Sequence, residues 1–510
     1  MQTLKNVVIF LPVLSLTIAL QKPCQRRSYG YSSIVCVCNE TYCDETQRPS
    51  KPLDGTYVAY TSSKSGLRFY QENAYFSRTI LHAADITVIN INTTVRYQTI
   101  LGWGGAFTDS TGININSLNA ATANNLLRSY FSKVGLEYNL CRVPIRGTDF
   151  STHGYSYHDD KEDMNLSSFK LAAEDFQYKI PLIKVAQNFS KDKLRLFAST
   201  WTAPKWMKHN EKYTGPDVLK KEMYQPWANY FLKFLEKYAE EGIKFWGLTT
   251  GNEPSTGLVP SKINSVGWLP WQMEQWISNN LGPTIRNSKF SSIKLITIDD
   301  QLFMFPLYID WMLRNENVKR YIDGFGLHYY WNWLPKSILN NTHNKYPDKF
   351  ILATEACEGV SLNLPHVKLG DWERGENYAF DIIGDINHWT AGWVDWNMAL
   401  NEIGGPTYID NFVDSPIIVN ASAGEFYKQP MYYALGHFSK FVPEGSQRVK
   451  YQQSKNNLDI STFVRPDNGT VVVILNRNDY NIQIKIKSNN MIEEIYRIIG
   501  GRSIVTILHW

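Results

Sequence analysis

Two glutamates follow predicted buried strands, and their placement indicates acid/base or nucleophilic chemistry. Glu253 lies in the tripeptide Asn252-Glu253-Pro254, behind the apolar run Phe245–Thr249, and Glu355 ends the run Lys349–Thr354. In a chain that alternates strands and helices, the carboxyl ends of the strands face the usual ligand crevice. Two carboxylates at equivalent strand ends therefore suggest a glycosidase.

The chemistry of acetal cleavage gives the two carboxyl groups different tasks. The leaving oxygen needs a proton, and negative charge must lie beside the oxocarbenium-like carbon. If the groups lie about 5–5.5 Å apart, the ionised one attacks directly and the anomeric configuration is retained. We predict Glu355 as the nucleophile and Glu253 as the general acid/base. Glu358, in the loop after Glu355, is predicted to be solvated.

A repeated strand–helix pattern positions these glutamates. Apolar residues from Trp227 to Tyr238 recur at helical spacing, after Pro226 and before Gly242. Eight apolar runs with helical stretches between several of them predict a (β/α)₈ TIM barrel, with an open doubly wound sheet as the alternative. The eight runs are Ile100–Gly105, Tyr138–Val143, Leu194–Ser199, Ile243–Thr249, Lys294–Ile298, Ile322–His328, Phe350–Thr354 and Ala391–Trp396.

Polar and aromatic residues follow many of the eight runs, and this favours the barrel. A barrel gathers its strand ends at one mouth, whereas an open sheet would spread them along an edge. The residues concerned are Asp149, Trp201, Glu253, Asp300, Tyr330, Glu355 and Asn397.

The C-terminal part consists of short, often alternating apolar runs separated by turn signals such as Asn468-Gly469. Residues 56–70 have a similar pattern but are too few to fold alone. We expect one immunoglobulin-like β-sandwich built from both ends of the chain, with the barrel inserted between them. The predicted C-terminal strands are Leu458–Val464, Thr470–Leu475, Tyr480–Ile486 and Ser503–Leu508.

Composition and spacing argue against several other classes of function. The 52 basic and 48 acidic residues nearly balance without a basic run, so no nucleic-acid partner is expected. Gly102-Trp103-Gly104-Gly105 fails the dinucleotide spacing, since Thr108 replaces the third glycine. The ten histidines lack paired ligand spacing, so neither a metal nor another cofactor is predicted. The 16 tryptophans and 30 tyrosines suit stacking on sugars, although most will be core.

The N-terminus predicts entry into the secretory pathway. Residues 1–20 have one early lysine and an apolar stretch that is short for a spanning helix, so we interpret them as a signal peptide. Cys24, Cys36, Cys38 and Cys43 then form an even cluster typical of two disulfides, with three pairings open. A zinc site is the less favoured alternative. Predicted N-glycosylation sites are Asn39, Asn92, Asn165, Asn188, Asn340, Asn420 and Asn468.

Long ordered motifs give the chain a family resemblance. They include GWGGAFTD at Gly102–Asp109, SxWTxPxW at Ser199–Trp206, NEPS at Asn252–Ser255, EAC at Glu355–Cys357 and NFVDSPIIV at Asn411–Val419. In these motifs, and over nearly the whole mature chain, the sequence resembles the acid β-glucosylceramidases (lysosomal glucocerebrosidases) of glycoside hydrolase family 30. The resemblance implies a retaining β-glucosidase acting on glucosylceramide and glucosylsphingosine, on a barrel whose fourth and seventh strands carry the catalytic glutamates.

The resemblance also implies roles for other residues. Glucose would contact Asp149, Trp201, Asn252 and Trp396, and the mouth where the aglycone meets the sugar would be formed by Phe150, Tyr330 and Asn411. Arg142 and His328 would be supporting polar groups. From the sequence alone, His328 is either a partner of a carboxylate or a core histidine.

Further implications of the resemblance concern disulfides, partners and location. The implied disulfides are Cys24–Cys36 and Cys38–Cys43. The implied location is the lysosome, with secretion as the alternative. The implied partners are a saposin-like activator protein and an anionic lipid surface to which the protein binds peripherally. The expected domains are a signal peptide (1–20), a small disulfide-bearing β-subdomain (21–49 plus 399–429), the β-sandwich (50–97 plus 446–510) and the barrel (98–398 plus 430–445).

Two other functions remain as alternatives. One is a catalytically weak glycolipid-binding protein on the same scaffold, and the presence of both glutamates argues against it. The other is a related β-xylanase or β-1,6-glucanase, which would act on polysaccharides without lipid.

Overall fold

The computed structural model describes residues 22–77, 86–159, 163–191, 193–360, 364–491 and 493–510. The predicted signal peptide at residues 1–20 lies outside these ranges. Within them, no helix is both long and apolar enough to cross a membrane.

Eight parallel strands close into a barrel, which confirms the predicted (β/α)₈ architecture. Strands that follow one another along the chain are hydrogen-bonded neighbours, and the eighth pairs with the first. We number them β1 (Gly102–Ala106), β2 (Leu140–Ile145), β3 (Arg195–Thr200), β4 (Gly247–Thr249), β5 (Lys294–Gln301), β6 (Gly324–His328), β7 (Phe350–Glu355) and β8 (Thr390–Asn397).

Helices cover the outside of the barrel, so its strands are buried on both faces and appear in the sequence as continuous apolar runs. The helix before β4, Tyr224–Glu240, buries Trp227, Phe231 and Phe234 completely. The α-helices of the described residues are Asp109–Asn116, Ala120–Phe131, Ile180–Ser190, Tyr224–Glu240, Pro270–Trp276, Gly282–Arg286, Phe305–Met312, Glu316–Tyr321, Ser337–Lys345, Trp372–Asn387 and Pro430–Ser439.

A second sheet of nine strands combines both ends of the chain. Side chains from its two halves share one apolar cluster, which includes Ile484, Val472 and Ile507, so the sheet folds over onto itself as a sandwich. In spatial order its strands are Ile495–Ile499, Ile482–Ser488, Thr87–Thr99, Gln447–Gln453, Asp459–Val464, Thr470–Asn476, Ser503–His509, Thr56–Ser63 and Tyr70–Tyr75.

A third, five-stranded sheet joins the N-terminal segment to the chain after β8. Its strands, in spatial order, are Arg26–Arg27, Val35–Cys38, Glu425–Lys428, Ile417–Asn420 and Ala399–Asn401. The structure contains the disulfides Cys24–Cys36 and Cys38–Cys43. Cys141 and Cys357 are buried and are not bonded to each other.

The seven predicted glycosylation asparagines are all at least partly accessible. Asn165, Asn188 and Asn468 are exposed, and Asn39, Asn92, Asn340 and Asn420 have intermediate exposure. Glycosylation at these positions stays a prediction.

Candidate active site

The barrel delivers the two glutamates to its mouth by different local structures. Glu355 is the last residue of β7 and lies beside His328, the last residue of β6. Glu253 lies four residues beyond β4 and has a positive φ of 43°, which is rare for a side-chain-bearing residue. Its backbone N–H donates to the carbonyl of Asp299 in β5 at 2.9 Å. This contact anchors the unusual turn, and Pro254 fixes the chain directly behind it.

The two glutamates lie close enough for direct cooperation. A carboxylate oxygen of each and a ring nitrogen of His328 all lie within 4.8 Å of one another. This short separation agrees with a retaining arrangement of about 5–5.5 Å and not with an inverting one of about 6.5–9.5 Å. Glu253 is only 9% exposed and Glu355 6%, so both carboxyl groups are largely shielded from solvent.

Glu355 accepts hydrogen bonds on both of its carboxylate oxygens. Arg142, from β2, contacts one oxygen and forms a buried ion pair with it. The hydroxyl of Tyr330 donates to the other at 2.9 Å. These donors fix the orientation of the carboxylate and favour its ionised form.

Glu253 has three side-chain partners. The Gln301 amide donates to one oxygen at 2.8 Å, and the Thr256 hydroxyl donates to the other at 2.9 Å. His328 Nδ1 lies 3.0 Å from the oxygen that Gln301 also contacts.

Asp299 links the two cationic groups that face the glutamates. Arg142 donates to one Asp299 oxygen at 2.7 Å, and His328 Nε2 lies 3.2 Å from the other. Burial disfavours a charged carboxylate, but the Arg142 charge and the His328 hydrogen bond hold the pKa of Asp299 far below its usual range. Burial would also lower the pKa of His328, yet Glu355, Asp299 and Glu253 together raise it to about 10. His328 is therefore a cation that contacts carboxylates through both ring nitrogens.

The charge of His328 influences the pKa of both glutamates. Burial raises the pKa of Glu253, but the hydrogen bond and charge of His328 outweigh it, so the net pKa is lowered. For Glu355, burial outweighs the charges of His328 and Arg142, and the pKa is raised. These directions are the reverse of what an acid Glu253 and an ionised Glu355 need. The positive charge of His328 therefore favours the ionised form of Glu253, whereas an acid Glu253 needs the protonated form.

The residues predicted to contact glucose surround this pair. Asp149 accepts from the Asn411 amide at 2.8 Å, and the side chain of Asn252 accepts from Arg142 at 2.8 Å. Trp201 and Trp396 stack with ring centroids 4.9 Å apart, and the Arg142 guanidinium lies 4.7 Å above the Trp201 ring.

Phe150 does not lie where the mouth was predicted to be. Its side chain has no exposed surface and packs edge-on against Trp396, with ring centroids 6.0 Å apart. Because the loop after β2 turns it inward, Phe150 supports a tryptophan and offers no surface to an aglycone in this conformation. Tyr330 and Asn411 remain partly accessible.

Two further carboxyl groups near the glutamates have strongly shifted pKa values. Burial raises the pKa of Asp149 to about 7, against the lowering by Asn411. Burial and the charge of Glu253 raise the pKa of Asp300 to about 7. Both groups are poised to gain a proton near neutrality.

Glu358, which was predicted to be solvated, is partly buried and hydrogen-bonded. Its carboxylate accepts from the hydroxyl of Tyr329 at 2.6 Å and the amide of Asn377 at 3.1 Å, and burial raises its pKa. It lines a cavity of about 390 Å³ together with Tyr330 and Cys357. Since Tyr330 also donates to Glu355, this cavity adjoins the two glutamates.

The cluster of Glu253, His328 and Glu355 also has donor atoms that could coordinate a metal. A metal needs neutral imidazole, whereas His328 is cationic and both ring nitrogens already contact carboxylates. The donor set therefore fits proton chemistry better.

Sequence reasoning missed Asp299, Gln301 and Thr256. Asp299 was overlooked because the predicted run ended at Ile298 and Asp300 was singled out among the residues that follow it, whereas the strand continues to Gln301. The structure has a register shift between Ile298 and Asp300, where both Ile298 and Asp299 have positive φ. This bulge turns Asp299 into the barrel. Gln301 and Thr256 carry no sequence signal that identifies them as partners of Glu253.

Comparisons with known proteins agree with this geometry. The family model described as "Glycosyl hydrolase family 30 TIM-barrel domain" matches residues 100–442, and "Glycosyl hydrolase family 30 beta sandwich domain" matches residues 445–507. The chain is 41% identical to "Lysosomal acid glucosylceramidase" from Mus musculus over 92% of each chain. It is 40% identical to "Putative glucosylceramidase 4" from Caenorhabditis elegans, covering 96% of this chain and 95% of that one.

Solved structures with the same architecture were also found. The structure titled "SrfJ from salmonella typhimurium" has 25% sequence identity and a TM-score of 0.82, covering 89% of this chain and 99% of that one. The structure titled "The endo-beta1,6-glucanase BT3312" has 24% identity and a TM-score of 0.78 with the same coverage, which supports the fold alone.

Proposed function

Because the chain belongs to glycoside hydrolase family 30, we propose that it is a retaining β-glucosidase that hydrolyses glucosylceramide and glucosylsphingosine to glucose and the lipid. The observation that carries this proposal is the pair of glutamate oxygens within 4.8 Å at the ends of β4 and β7. The 41% identity to a mouse lysosomal acid glucosylceramidase supports the choice of substrate.

In the first step, Glu355 attacks the anomeric carbon and the glycosidic oxygen leaves with a proton. The contacts from Arg142 and Tyr330 orient the Glu355 carboxylate and favour its ionised form against the opposing effect of burial. Glu253 donates the proton to the leaving oxygen. His328 Nδ1 lies 3.0 Å from Glu253 and is the cation in contact with its carboxyl group.

In the second step, water attacks the glucosyl ester of Glu355. Ester formation removes the negative charge of Glu355, which had repelled that of Glu253. The pKa of Glu253 falls further, and the ionised carboxylate is suited to take a proton from water. Each of the two displacements inverts the anomeric carbon, so the released glucose has the β-configuration of the substrate.

We propose that the protein reaches the lysosome lumen through the secretory pathway and acts there, with secretion as the alternative. We propose that the protein binds an anionic lipid surface peripherally, since its substrates have lipid tails, and that a saposin-like activator protein assists it. The predicted signal peptide and the lysosomal name of the mouse relative support this location.

A substrate panel tests the proposal. Purified protein should release glucose from glucosylceramide and glucosylsphingosine, and anionic vesicles should accelerate the reaction. Xylan and β-1,6-glucan should be poor substrates. Glu355→Gln is the matched control, because it removes the nucleophile and keeps the shape of the side chain. Preference for either polysaccharide would favour the glycanase alternative, and lipid binding without turnover would favour a glycolipid-binding protein.

A further inference from the structure

Glu358 is a partly buried acid that the proposed reaction leaves without a role. Its Oε1 accepts hydrogen bonds from the hydroxyl of Tyr329 at 2.6 Å and from the amide of Asn377 at 3.1 Å. Within the residues that the structure describes, Oε2 accepts no hydrogen bond, and it is not fully enclosed by other atoms. One carboxylate oxygen is thus held in place, and the other is free to accept a hydrogen bond from a ligand.

The cavity that Glu358 lines is large enough for part of a substrate. Its volume of about 390 Å³ falls within the usual range of ligand pockets, about 300–1,000 Å³. Tyr330 also lines it, and the hydroxyl of this tyrosine donates to Glu355 at 2.9 Å. Val360 and Asn377, two further lining residues, are exposed, so the cavity opens to the protein surface. The cavity therefore leads from the surface to the neighbourhood of Glu355.

The other charged side chains that line this cavity lie beside partners of opposite charge. The pairs are Arg374–Asp414, Lys368–Asp371 and Lys64–Glu373. Glu358 forms no ion pair in the described part of the chain, and residues 361–363, which follow the lining residue Val360, contain no basic side chain. Burial raises the pKa of Glu358, although its hydrogen bonds and the charge of Arg374 oppose the shift. A shielded carboxylate without a cation in contact favours the binding of one.

The two substrates of the proposed reaction differ in the charge of one nitrogen. In glucosylsphingosine, the carbon next to the one that bears the glycosidic oxygen carries a primary amine, which is protonated at neutral and acidic pH. In glucosylceramide the same nitrogen belongs to a neutral amide. Because Glu355 attacks the anomeric carbon and Glu253 protonates the glycosidic oxygen, this nitrogen must lie close to both glutamates. A carboxylate in the adjoining cavity can therefore distinguish the two lipids.

We propose that Glu358 binds the ammonium group of the sphingoid leaving group in this cavity and so favours glucosylsphingosine over glucosylceramide. The inference rests on the proposed function, which supplies the two lipid substrates. Oε2 accepts a charge-assisted hydrogen bond from the ammonium, while Tyr329 and Asn377 hold the carboxylate through Oε1. The partial burial of Glu358 strengthens this contact relative to one on the open surface. The neutral amide of glucosylceramide has no charge to pair with it.

Relative rates on the two lipids test this selectivity. Glucosylsphingosine and glucosylceramide are presented in the same neutral micelles, and kcat/KM is measured for each. In Glu358→Gln, which keeps the size of the side chain and removes its charge, the ratio of the glucosylsphingosine value to the glucosylceramide value should fall about tenfold. Glu373→Gln removes an exposed charge from the same cavity and should keep the ratio of the parent. An unchanged ratio in Glu358→Gln would overturn the proposal.

Calorimetry separates the ammonium site from the proposed function, because it needs no turnover. A water-soluble, short-chain analogue of sphingosine is titrated into the protein, and its N-acetyl derivative is the neutral control. The amine should bind the parent about tenfold more tightly than the derivative does, and Glu358→Gln should lose this preference. If neither lipid is hydrolysed but this preference is found, the hydrolysis proposed above is wrong and the ammonium site stands. Equal binding of the amine and its derivative by the parent overturns the ammonium site.

Discussion

Asp299 shows how one residue influences the charges of Glu253 and Glu355 without contacting either glutamate side chain. It holds Arg142 with one oxygen and His328 with the other, and these two cations contact Glu355 and Glu253. Both cations favour ionised glutamates, so the pH range of activity depends on this arrangement. The acid/base and nucleophile roles of the glutamates stay predictions.

Replacing His328 tests the electrostatic part of the account. In His328→Gln the cation that lowers the pKa of Glu253 is lost, and the same cation also lowers that of Glu355. Both pKa values should rise, so both limbs of the kcat/KM profile should move to higher pH. The pH dependence of hydrolysis of an aryl β-glucoside measures this shift. A loss of activity with unchanged limbs would show that His328 only positions its neighbours.

The two stacked tryptophans test the predicted sugar contact. Trp201→Ala and Trp396→Ala should each lower kcat/KM at least about tenfold, equivalent to about 1.4 kcal/mol, while the protein stays folded. Steady-state kinetics and circular dichroism measure the two effects. If either variant unfolds but the folded fraction keeps full activity, that tryptophan is part of the core only.

At the scale of elements, the sequence predicted every barrel strand. It missed the backbone bulge in β5 and some polar strands of the sandwich. The apolar runs are continuous because both faces of each strand are buried. The predicted run ended at Ile298 and Asp300 was expected just beyond it, but the strand continues to Gln301 and its bulge turns Asp299 into the barrel. Strands such as Gln447–Gln453, rich in polar residues, were also missed.

Because the bulge in β5 places Asp299 and Asp300 differently, we predict different effects for the same substitution at the two positions. Asp299→Asn should lower kcat/KM about 100-fold, because Arg142 and His328 lose their shared carboxylate. Asp300→Asn should have a smaller effect, since the pKa of Asp300 is already about 7 and an amide resembles its protonated form. Kinetics of both variants at pH 5 provide the comparison. A larger loss for Asp300→Asn would contradict the register described here.

At the scale of the whole molecule, the sandwich built from both chain ends is attached to the barrel through a buried polar contact. His437, in the helix Pro430–Ser439, lies 2.8 Å from the hydroxyl of Thr506 and 2.9 Å from that of Ser62. His437 and Ser62 are 375 positions apart in the sequence, and a long-range contact of this kind leaves no local sequence pattern. The predicted domain boundaries stay predictions.

His437 should weaken the fold in acid. Burial lowers its pKa to about 3, whereas an unfolded histidine has a pKa of about 6.5. Between these values only the unfolded chain binds the proton, so stability falls with decreasing pH by up to about 1.4 kcal/mol per unit. His437→Gln should therefore raise Tm relative to the parent more at pH 4.5 than at pH 7.5. Exposed His209→Gln is the control, and an equal response of both variants would contradict this explanation.

The covalent intermediate tests the central claim most directly. A slow fluoro-glucoside inactivator should leave a glucosyl ester that peptide mapping locates on Glu355. In Glu253→Gln, an activated aryl glucoside should still glycosylate the protein, and azide, which needs no base, should restore turnover and give β-glucosyl azide. A label on Glu253 or Glu358, or an α-glucosyl azide product, would contradict the assigned roles and the retaining mechanism.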